Sequence, residues 1–263
     1  MGSSNIQGKL WGQKPEDWAT IQEITGNSGY EHALQLLKMK PTQTLLDVGC
    51  GTGYFSDLAF KENIDVTGID ASKELVEQAR IRNSEINFST GEMEELTFTD
   101  NSFDVVCGFN SFQYAAVIKN ALFEAKRVLK NNGKLVVMIW GNKEDCEVTT
   151  YLKAIGRLLP PPPAGAGGPF ALSENRLLEK TLEEVGFKII TNNDIESIWD
   201  YPNSEIAIKG LLSAGPAAKA IENNGFEKVH KTMKEAIKPH TRKNGRVIYS
   251  NKWRVVICEK KIK

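Results

Sequence analysis

The chain has 263 residues, and its 33 Lys and Arg residues balance 33 Asp and Glu residues, so the formal net charge is zero. With 41% hydrophobic and 25% charged residues, the composition is typical of a globular protein. No apolar run approaches the roughly 20 residues of a membrane-spanning helix, and no basic region followed by an apolar block opens the chain, so we expect a cytoplasmic protein without a signal peptide.

Two helices are predicted ahead of the first strand. The first covers Pro15 to Ile24, where Trp18 and Ile21 mark an apolar side. The second covers Tyr30 to Met39 and ends before Pro41, because proline cannot continue a helix.

Strand and helix patterns then alternate through the middle of the chain. Short apolar runs are separated by longer segments with helical spacing of apolar residues, which predicts a parallel sheet with helices on both faces. In chain order the predicted elements are strand Thr44–Val48, helix Tyr54–Glu62, strand Ile64–Ile69, helix Lys73–Asn83, strand Ile86–Ser89, strand Phe103–Cys107, helix Asn120–Leu129 and strand Lys134–Ile139.

The alternation stops beyond Trp140. The proline- and glycine-rich run from Pro160 to Pro169 is incompatible with a helix or a central strand, and we expect a loop across the mouth of the active site, with a flexible linker as the alternative. The other elements predicted in this half are helix Thr149–Leu159, helix Ser173–Val185 ending at Gly186, a strand within Phe187–Trp199, mainly helix over residues 203–238, and one strand or a hairpin over Val247–Cys258.

The most informative segment is the end of the first strand, Asp47-Val48-Gly49-Cys50-Gly51-Thr52-Gly53. A buried strand that opens through a glycine-rich turn into a helix is the arrangement by which α/β proteins bring backbone against a cofactor. Glycine is needed because a Cβ would block the turn or the approach of the ligand. Asp70 follows the next predicted strand, and its carboxylate can accept two hydrogen bonds from a ribose diol. The segment therefore predicts a cofactor that contains a nucleoside.

Further segments complete a resemblance to the Rossmann-like (class I) S-adenosylmethionine-dependent methyltransferases, especially the small-molecule group with the ubiquinone- and menaquinone-biosynthesis enzymes. The resemblance covers roughly residues 30–140. Its motifs beyond the glycine-rich turn are Gly68-Ile69-Asp70-Ala71-Ser72 at the ribose, Gly91-Glu92-Met93-Glu94-Glu95-Leu96 around the adenine, Asp100-Asn101-Ser102-Phe103-Asp104-Val105-Val106 at the fourth strand, and Ala125-Lys126-Arg127-Val128-Leu129-Lys130-Asn131-Asn132-Gly133-Lys134-Leu135 before the fifth.

This resemblance implies one α/β domain with a three-layer, doubly wound and mostly parallel seven-stranded sheet and helical lid insertions. N-terminal cap helices (1–40) would precede a cofactor-binding core (41–140), with lid elements on the acceptor side (141–170 and 200–242). S-adenosyl-L-methionine would be the methyl donor and S-adenosyl-L-homocysteine the product. The residues implied to bind the cofactor are Asp47, Gly49, Gly51, Gly53, Asp70, Ala71, Glu92, Met93 and Asn110.

The residue chemistry agrees with this cofactor. S-adenosylmethionine has no phosphate, and the glycine-rich turn contains no lysine. Glu92 can accept a hydrogen bond from the adenine amino group, while the Met93 backbone N–H can donate to the ring, although a solvated role for Glu92 stays open. For Asp47, a contact with the cofactor and a structural role under the turn are equally favoured. Ser72 fits the helix N-cap better than Asp70 does.

Three other functions are weighed against methyl transfer. A dinucleotide-binding fingerprint needs a third glycine where this chain has Tyr54 or Ser56. A base-directed nucleic-acid methyltransferase needs a Pro-Pro-aromatic or Pro-Cys motif, which is absent after the fourth strand. Residues 226–263 hold 12 basic against 3 acidic residues, so an RNA acceptor stays an alternative. A solvated helix face is the simpler interpretation of those lysines. A non-catalytic, regulatory binder of S-adenosylmethionine would share the same motifs.

The acceptor is predicted to bind above the carboxyl ends of the strands. We expect a small-molecule acceptor, no nucleic-acid partner, no metal and a monomer or homodimer, with the four cysteines reduced. The catalytic residue is not identified, and Tyr114 and His240 are weak candidates. Candidate acceptor contacts are Gln113, Tyr114, Trp11 and Tyr30, with an apolar wall of Phe170, Trp199 and Tyr201.

Overall fold

The structure is a computed structural model that describes residues 2–161 and 167–261. Within these residues a seven-stranded sheet has the order β3-β2-β1-β4-β5-β7-β6. Five strands are parallel, and β7 runs antiparallel to both of its neighbours. The strands are β1 (Thr44–Val48), β2 (Asp65–Asp70), β3 (Asn87–Thr90), β4 (Phe103–Phe109), β5 (Leu129–Trp140), β6 (Phe187–Tyr201) and β7 (Val247–Lys260).

Helices cover both faces of the sheet, which confirms the predicted three-layer α/β fold. The α-helices of the described residues are α1 (Ser4–Trp11), α2 (Pro15–Asp17), α3 (Asn27–Leu37), α4 (Tyr54–Lys61), α5 (Lys73–Arg82), α6 (Ile118–Val128), α7 (Thr149–Gly156), α8 (Leu177–Val185), α9 (Ser204–Leu211), α10 (Gly215–Asn224) and α11 (Phe226–Ile237).

Alternation along the strands builds two hydrophobic clusters, one on each face. In β1, Leu45 belongs to the cluster that includes residues of α3, α4 and α5, whereas Leu46 belongs to the cluster under α6 and α8. In β4, Val105 belongs to the same cluster as Leu45, and Val106 belongs to the same cluster as Leu46. Because side chains of a strand point alternately to opposite faces, this short-period pattern fixes which face each helix must cover.

The strands β6 and β7 extend past the carboxyl end of β5. Trp140 at the end of β5 pairs with Trp253, while the β6–β7 ladder continues to the pair Tyr201–Val247. This two-stranded extension carries a buried aromatic cluster above the sheet, in which Trp140 stacks on Trp253 with ring centroids 4.2 Å apart. The helices α9 to α11 pack beyond it. The cluster closes one side of the space above the parallel strands.

The N-terminal region differs most from the prediction. No helix was expected over Ser4–Trp11, because α1 buries only Gly8 and Leu10 and therefore lacks an apolar stripe. The helix predicted over Pro15 to Ile24 is broken into the single turn α2, a π-turn over Trp18–Gln22 and a 3₁₀-turn over Glu23–Gly26. We call residues 2–26 the N-terminal segment.

The other elements follow the prediction with shifted ends. The strands β4 and β5 are longer than predicted, and β7 is one strand rather than a hairpin. The predicted C-cap of α8 is confirmed, since Gly186 adopts a left-handed conformation with φ of 96°. The centre of the predicted active-site loop, Pro162 to Ala166, lies outside the described residues.

Candidate functional site

The glycine loop, residues 49–53, connects β1 to α4 at the carboxyl edge of the sheet. Gly49, Gly51 and Gly53 have φ values of 75°, 57° and 75°, a left-handed conformation that favours glycine. The backbone N–H groups of Gly49 and Cys50 donate to the Ile69 carbonyl at 2.8 and 2.9 Å. The loop is therefore held against the end of β2, and backbone rather than side chain forms its surface.

Asp47 supports this loop from below. Its side chain is 2% exposed and accepts hydrogen bonds from the Ser56 hydroxyl at 2.7 Å and from the Cys107 thiol at 3.6 Å. Burial raises the pKa of Asp47 to about 7, although the Ser56 hydrogen bond acts in the opposite direction. These contacts support the structural role of Asp47 under the turn, and its contact with a cofactor stays a prediction.

Asp70 ends β2 beside the glycine loop, as predicted. Its two carboxylate oxygens accept hydrogen bonds from the backbone N–H groups of Gly51 at 2.9 Å and Ser72 at 2.8 Å. The Ser72 hydroxyl caps α5 by accepting from the Leu75 N–H at 3.2 Å, so the N-cap prediction is correct. Burial raises the pKa of Asp70 to about 6, because desolvation outweighs these hydrogen bonds.

Glu92 lies at the next strand end and contacts a helix that the sequence did not predict. One of its oxygens accepts from the Ser4 backbone N–H at 2.7 Å, and the other from the Glu94 N–H at 3.0 Å. Met93 packs against the cluster under α6. The two acids implied to recognise adenosine thus have backbone donors, and the donor to Glu92 comes from α1.

Small residues let α1 lie directly on this part of the site. Ser4, Gly8 and Gly12 recur every fourth position and form one side of the helix. A Cβ added to Gly8 would collide with the Ala71 carbonyl oxygen, and one added to Gly12 would approach the Ser72 hydroxyl to 2.8 Å. The helix backbone therefore touches the chain that leaves β2. Its other end reaches α10, where Lys9 pairs with Glu222 at 3.0 Å.

Sequence reasoning missed Glu23, a buried acid that also contacts the glycine loop. Its carboxylate accepts from the Thr52 backbone N–H at 2.9 Å and bonds the Thr52 hydroxyl. Arg82 of α5 donates to the same carboxylate at 2.6 Å and to the Thr52 carbonyl at 2.8 Å. Nothing in the sequence pattern signals this group, because its members are far apart in the chain.

Aromatic side chains of the N-terminal segment lie between the glycine loop and the acceptor side. The Trp18 indole N–H is 3.4 Å from the place where a Cβ on Gly51 would stand. Trp11 packs edge-on against Trp18 and Tyr114, with ring centroids 4.9 and 5.2 Å away. The structure thus brings together Trp11 and Tyr114, two of the candidate acceptor contacts, and places Trp18 beside the glycine loop.

The segment after β4 brings the polar acceptor candidates together. Asn110 adopts a left-handed conformation with φ of 54°, and its N–H donates to the Met138 carbonyl at 2.8 Å. The Gln113 amide donates to the Asn110 side chain, which leaves the Gln113 amide oxygen buried without a partner among the described residues. Burial raises the pKa of Tyr114 to about 12, so its phenol stays protonated at neutral pH.

Five of the aromatic and histidine candidates lie in packed surroundings. Tyr30 is a buried residue that packs edge-on against Phe109 with ring centroids 5.0 Å apart, and its contact with an acceptor stays a prediction. His240 is buried rather than solvated in a loop: it stacks on Tyr249 at 4.2 Å and its Nε2 is 2.9 Å from the Thr150 hydroxyl. Burial lowers the pKa of His240. The predicted apolar wall, Phe170, Trp199 and Tyr201, is fully buried.

Metal ligands and membrane-spanning helices also bear on function. The described parts of the chain contain no group of three or more His, Cys, Asp or Glu side chains suited to a metal ion. Over the same residues, no helix has the length and apolar character needed to cross a membrane. All four cysteines are buried and unbridged, as predicted.

Parts of the sequence are similar to known methyltransferases. A family model described as a methyltransferase domain matches residues 46–137. A demethylmenaquinone methyltransferase of Renibacterium salmoninarum is 38% identical over 37% of this chain and 41% of its own length. A malonyl-[acyl-carrier protein] O-methyltransferase of Erwinia pyrifoliae is 31% identical over 54% of this chain and 53% of its own length. The chain thus spans about half the length of the curated relatives it matches.

Solved structures extend the likeness to most of the fold. The YcgJ protein of Bacillus subtilis matches 90% of this chain and all of its own with a TM-score of 0.60 at 18% identity. A putative methyltransferase of Bacillus halodurans matches 89% of this chain and all of its own, with a TM-score of 0.61 at 16% identity. The [4+2]-cyclase SpnF matches 89% of this chain and 80% of its own with a TM-score of 0.57 at 20% identity. At such identities these matches establish the fold alone.

Proposed function

We propose that the chain binds S-adenosylmethionine and transfers the methyl group to a small-molecule acceptor, because a family model described as a methyltransferase domain matches residues 46–137. The observation that carries the proposal is the glycine loop itself. Three left-handed glycines present bare backbone at the carboxyl edge of β1, within hydrogen-bond distance of Asp70 and without a lysine. Bare backbone at this place lets a nucleoside cofactor lie close to the strand ends, and the missing third glycine of the dinucleotide fingerprint favours S-adenosylmethionine over a pyrophosphate cofactor.

The residues present fit this cofactor. In the proposal Asp70 holds the ribose diol, Glu92 accepts from the adenine amino group, and Ala71 and Met93 supply apolar surface to the base. Both acids now accept from backbone N–H groups, and a carboxylate has about four acceptor positions, so Asp70 can keep its contact with Gly51 while it accepts from a ligand. Glu92 must exchange or share its contact with Ser4.

When bound, S-adenosylmethionine supplies a methyl group that its sulfonium already activates. The chain therefore needs mainly to align the acceptor and exclude water, which are contributions of proximity and desolvation. In the proposal, Trp11 and Trp18 cover the glycine loop, while Gln113 and Tyr114 orient the acceptor. The raised pKa of Tyr114 makes its phenol a hydrogen-bond donor rather than a base.

His240 is a poor candidate for a general base. Its lowered pKa would suit the neutral form that a base requires. However, its Nε2 is engaged with Thr150 and its ring is stacked on Tyr249. We propose that transfer requires no dedicated base from His240.

The acceptor is proposed only as a class. One relative is named for demethylmenaquinone and another for a malonyl-[acyl-carrier protein], and this chain covers about half of each. We propose an apolar small molecule with an oxygen, nitrogen or carbon nucleophile, because the aromatic rings of Trp11 and Tyr114 pack together on the proposed acceptor side.

A non-catalytic function is the second candidate. A protein described as a [4+2]-cyclase has the same fold, so the fold does not by itself imply methyl transfer. A regulatory binder would bind S-adenosylmethionine without turnover, and an RNA methyltransferase would use the basic C-terminal residues.

The test is to incubate the protein with methyl-labelled S-adenosylmethionine and a metabolite extract, and to identify the labelled product by mass spectrometry. Label in a small molecule is the expected outcome. Label in RNA would instead support the alternative of an RNA methyltransferase. Calorimetric binding of the cofactor with no labelled product from any extract would favour the regulatory binder.

A further inference from the structure

Tyrosine side chains from four elements meet beyond the carboxyl edge of the sheet. Tyr114 follows β4, Tyr151 lies in α7, Tyr201 ends β6, and Tyr249 lies near the start of β7. Burial raises the pKa of Tyr151, which is 4% exposed, and the phenols of Tyr114 and Tyr249 raise this pKa further. Such coupling requires the phenols to lie close together and out of water. The tyrosines therefore form one group inside the protein.

The packing of the helices independently brings Tyr114 and α7 to the same helix, α10. Trp11 packs against Tyr114 with ring centroids 5.2 Å apart, and its indole lies 2.7 Å from the place of a Cβ on Gly215 at the start of α10. The other end of α10 contacts the chain after α7, where the Asn224 amide donates to the Leu158 carbonyl at 2.6 Å. Three separate parts of the chain thus enclose the region that holds the tyrosines.

Three of the four hydroxyls have no hydrogen-bond partner within residues 2–161 and 167–261. The Tyr249 hydroxyl is buried and unpaired, while the neighbouring Thr150 hydroxyl is 2.9 Å from His240 Nε2. Burial raises the pKa of Tyr114 to about 12 with no hydrogen bond opposing it, and no hydrogen bond opposes the effect of burial on Tyr151 either. Buried polar groups are normally paired, so three unpaired hydroxyls in one place indicate a polar partner that is a ligand.

The unpaired groups are mainly hydrogen-bond donors. Their raised pKa values keep the phenols protonated at neutral pH, so each can donate one hydrogen bond. The hydroxyl of Tyr201 shows the paired alternative, since it donates to the Gln22 side chain at 2.9 Å. A ligand oxygen that accepts from two phenols has the complementary chemistry. A negatively charged oxygen fits best, because hydrogen bonds to charged groups are the stronger ones.

We propose that Tyr151 is a further acceptor-binding residue, which together with Tyr114 donates hydrogen bonds to one oxygen of the methyl acceptor. This inference deepens the proposed function and rests on it. The acceptor is then an acidic hydroxyl compound, such as a phenol or an enol, that is bound as its conjugate base. Its proton passes to water on binding, and the two phenols stabilise the negative oxygen that remains. The acceptor is thus ionised without a basic side chain, which agrees with the engaged position of His240.

The first experiment measures thermal unfolding of the free protein. Removal of an unpaired hydroxyl breaks no hydrogen bond, so Tyr151→Phe should leave the melting temperature unchanged or raise it. Tyr201→Phe is the comparison, because it removes the hydrogen bond to Gln22 and should lower the melting temperature by roughly 2–4 °C. Equal losses in the two variants would show that the Tyr151 hydroxyl is paired inside the protein and would overturn the proposal.

The second experiment measures binding of two probes, para-nitrophenol and its methyl ether para-nitroanisole, to the protein saturated with S-adenosylhomocysteine. Only para-nitrophenol can ionise, and its anion alone absorbs visible light strongly, so a spectrophotometric titration gives the pKa of the bound probe. The unaltered protein should lower this pKa and prefer para-nitrophenol over the ether by about tenfold or more. Tyr151→Phe and Tyr114→Phe should each reduce the preference by about tenfold, since each removes one hydrogen bond to a charged oxygen.

Tyr54→Phe is the matched control, because Tyr54 lies at the start of α4 and its hydroxyl is 3.3 Å from the Asn27 side chain. Its preference for para-nitrophenol should equal that of the unaltered protein. An unchanged preference in Tyr151→Phe, or no preference in the unaltered protein, would overturn the inference. The probes require no turnover, so the expected preference without any labelled metabolite would contradict the proposed function and leave the phenol site standing.

Discussion

At the scale of the residue, Asp70 carries the sharpest prediction about binding. Replacement of Asp70 by Ala removes the proposed acceptor of the ribose diol, and charged hydrogen bonds contribute about 1.5–3 kcal/mol. We expect a loss of affinity for S-adenosylmethionine of about 10-fold to 150-fold, measured by calorimetry, in a protein that still folds. Asp65→Ala is the control, because Asp65 lies at the exposed start of the same strand. Equal affinities in the two variants would contradict the ribose assignment.

Asp47 carries a prediction about pH. Its pKa is about 7 in the folded protein and near 3.8 in an unfolded chain, so the folded state holds the extra proton between these values. This contribution to stability is complete below the lower value and is lost as the pH rises through about 7. The variant Asp47→Asn has no titrating carboxyl group at this position. The stability of the unaltered protein relative to Asp47→Asn should therefore fall by about 4 kcal/mol at most between about pH 4 and pH 8.

The measurement for Asp47 is urea unfolding of both proteins across that pH range. Ser56→Ala serves as a control, since it removes a hydrogen bond to Asp47 but no titrating group. A stability difference that stays constant with pH would show that Asp47 does not hold a proton in the folded protein.

Single residues also show where sequence reasoning stops. The positions of Gly49, Gly51, Gly53 and Asp70 could be predicted, because backbone conformation and strand ends have local sequence signals. The role of Glu23 could not, because its partners are 29 and 59 positions away in the chain. The position of Asp47 could be predicted but its role could not, since the pattern locates a side chain at a strand end and does not say whether it faces the loop or the core.

At the scale of the element, a substitution in α1 tests how closely this helix packs on the proposed cofactor site. Gly8→Ala introduces a Cβ that collides with the Ala71 carbonyl oxygen, whereas Gly156→Ala in α7 meets nothing within 4 Å. Both changes raise helix propensity by about 0.5–1 kcal/mol. We therefore expect Gly156→Ala to leave the protein unchanged or slightly more stable, and Gly8→Ala to displace α1.

The measurement for α1 is amide hydrogen exchange, resolved to the peptide that contains Ser4. Faster exchange of this peptide in Gly8→Ala, with the rest of the protein unchanged, is the expected result. If the two alanine variants exchange alike, α1 does not depend on close backbone contact with the chain after β2.

Prediction of the elements succeeded where hydrophobic periodicity was strong. The core strand β1 was predicted with the observed ends, and helix α4 within one residue. The helix α1 was missed because its site-facing side consists of Ser4, Gly8 and Gly12, which carry no apolar signal. A helix that packs through its backbone lacks the periodic large apolar residues from which helices are predicted.

At the scale of the whole molecule, the five tryptophans fall into two groups. Trp140, Trp199 and Trp253 are buried together above the sheet, whereas Trp18 lies beside Gly51 of the glycine loop and Trp11 packs against Trp18. We expect S-adenosylmethionine to change the fluorescence of the second group alone. Trp18→Phe should reduce the ligand-induced change and preserve the large change on unfolding, while Trp199→Phe should preserve the ligand-induced change and reduce the change on unfolding. An undiminished ligand-induced change in Trp18→Phe would place the cofactor away from the glycine loop.

The span of α1 from Glu92 to α10 has a consequence for kinetics. The same short helix donates to Glu92 through Ser4 and places Trp11 against Tyr114. A displacement that admits the donor molecule at Glu92 also removes Trp11 from the acceptor side, so the acceptor site is complete only after the helix has returned. The reaction should therefore be compulsory-ordered, with S-adenosylmethionine binding first and S-adenosylhomocysteine leaving last. Product inhibition patterns will test this, and an acceptor that binds equally well before and after the donor would refute it.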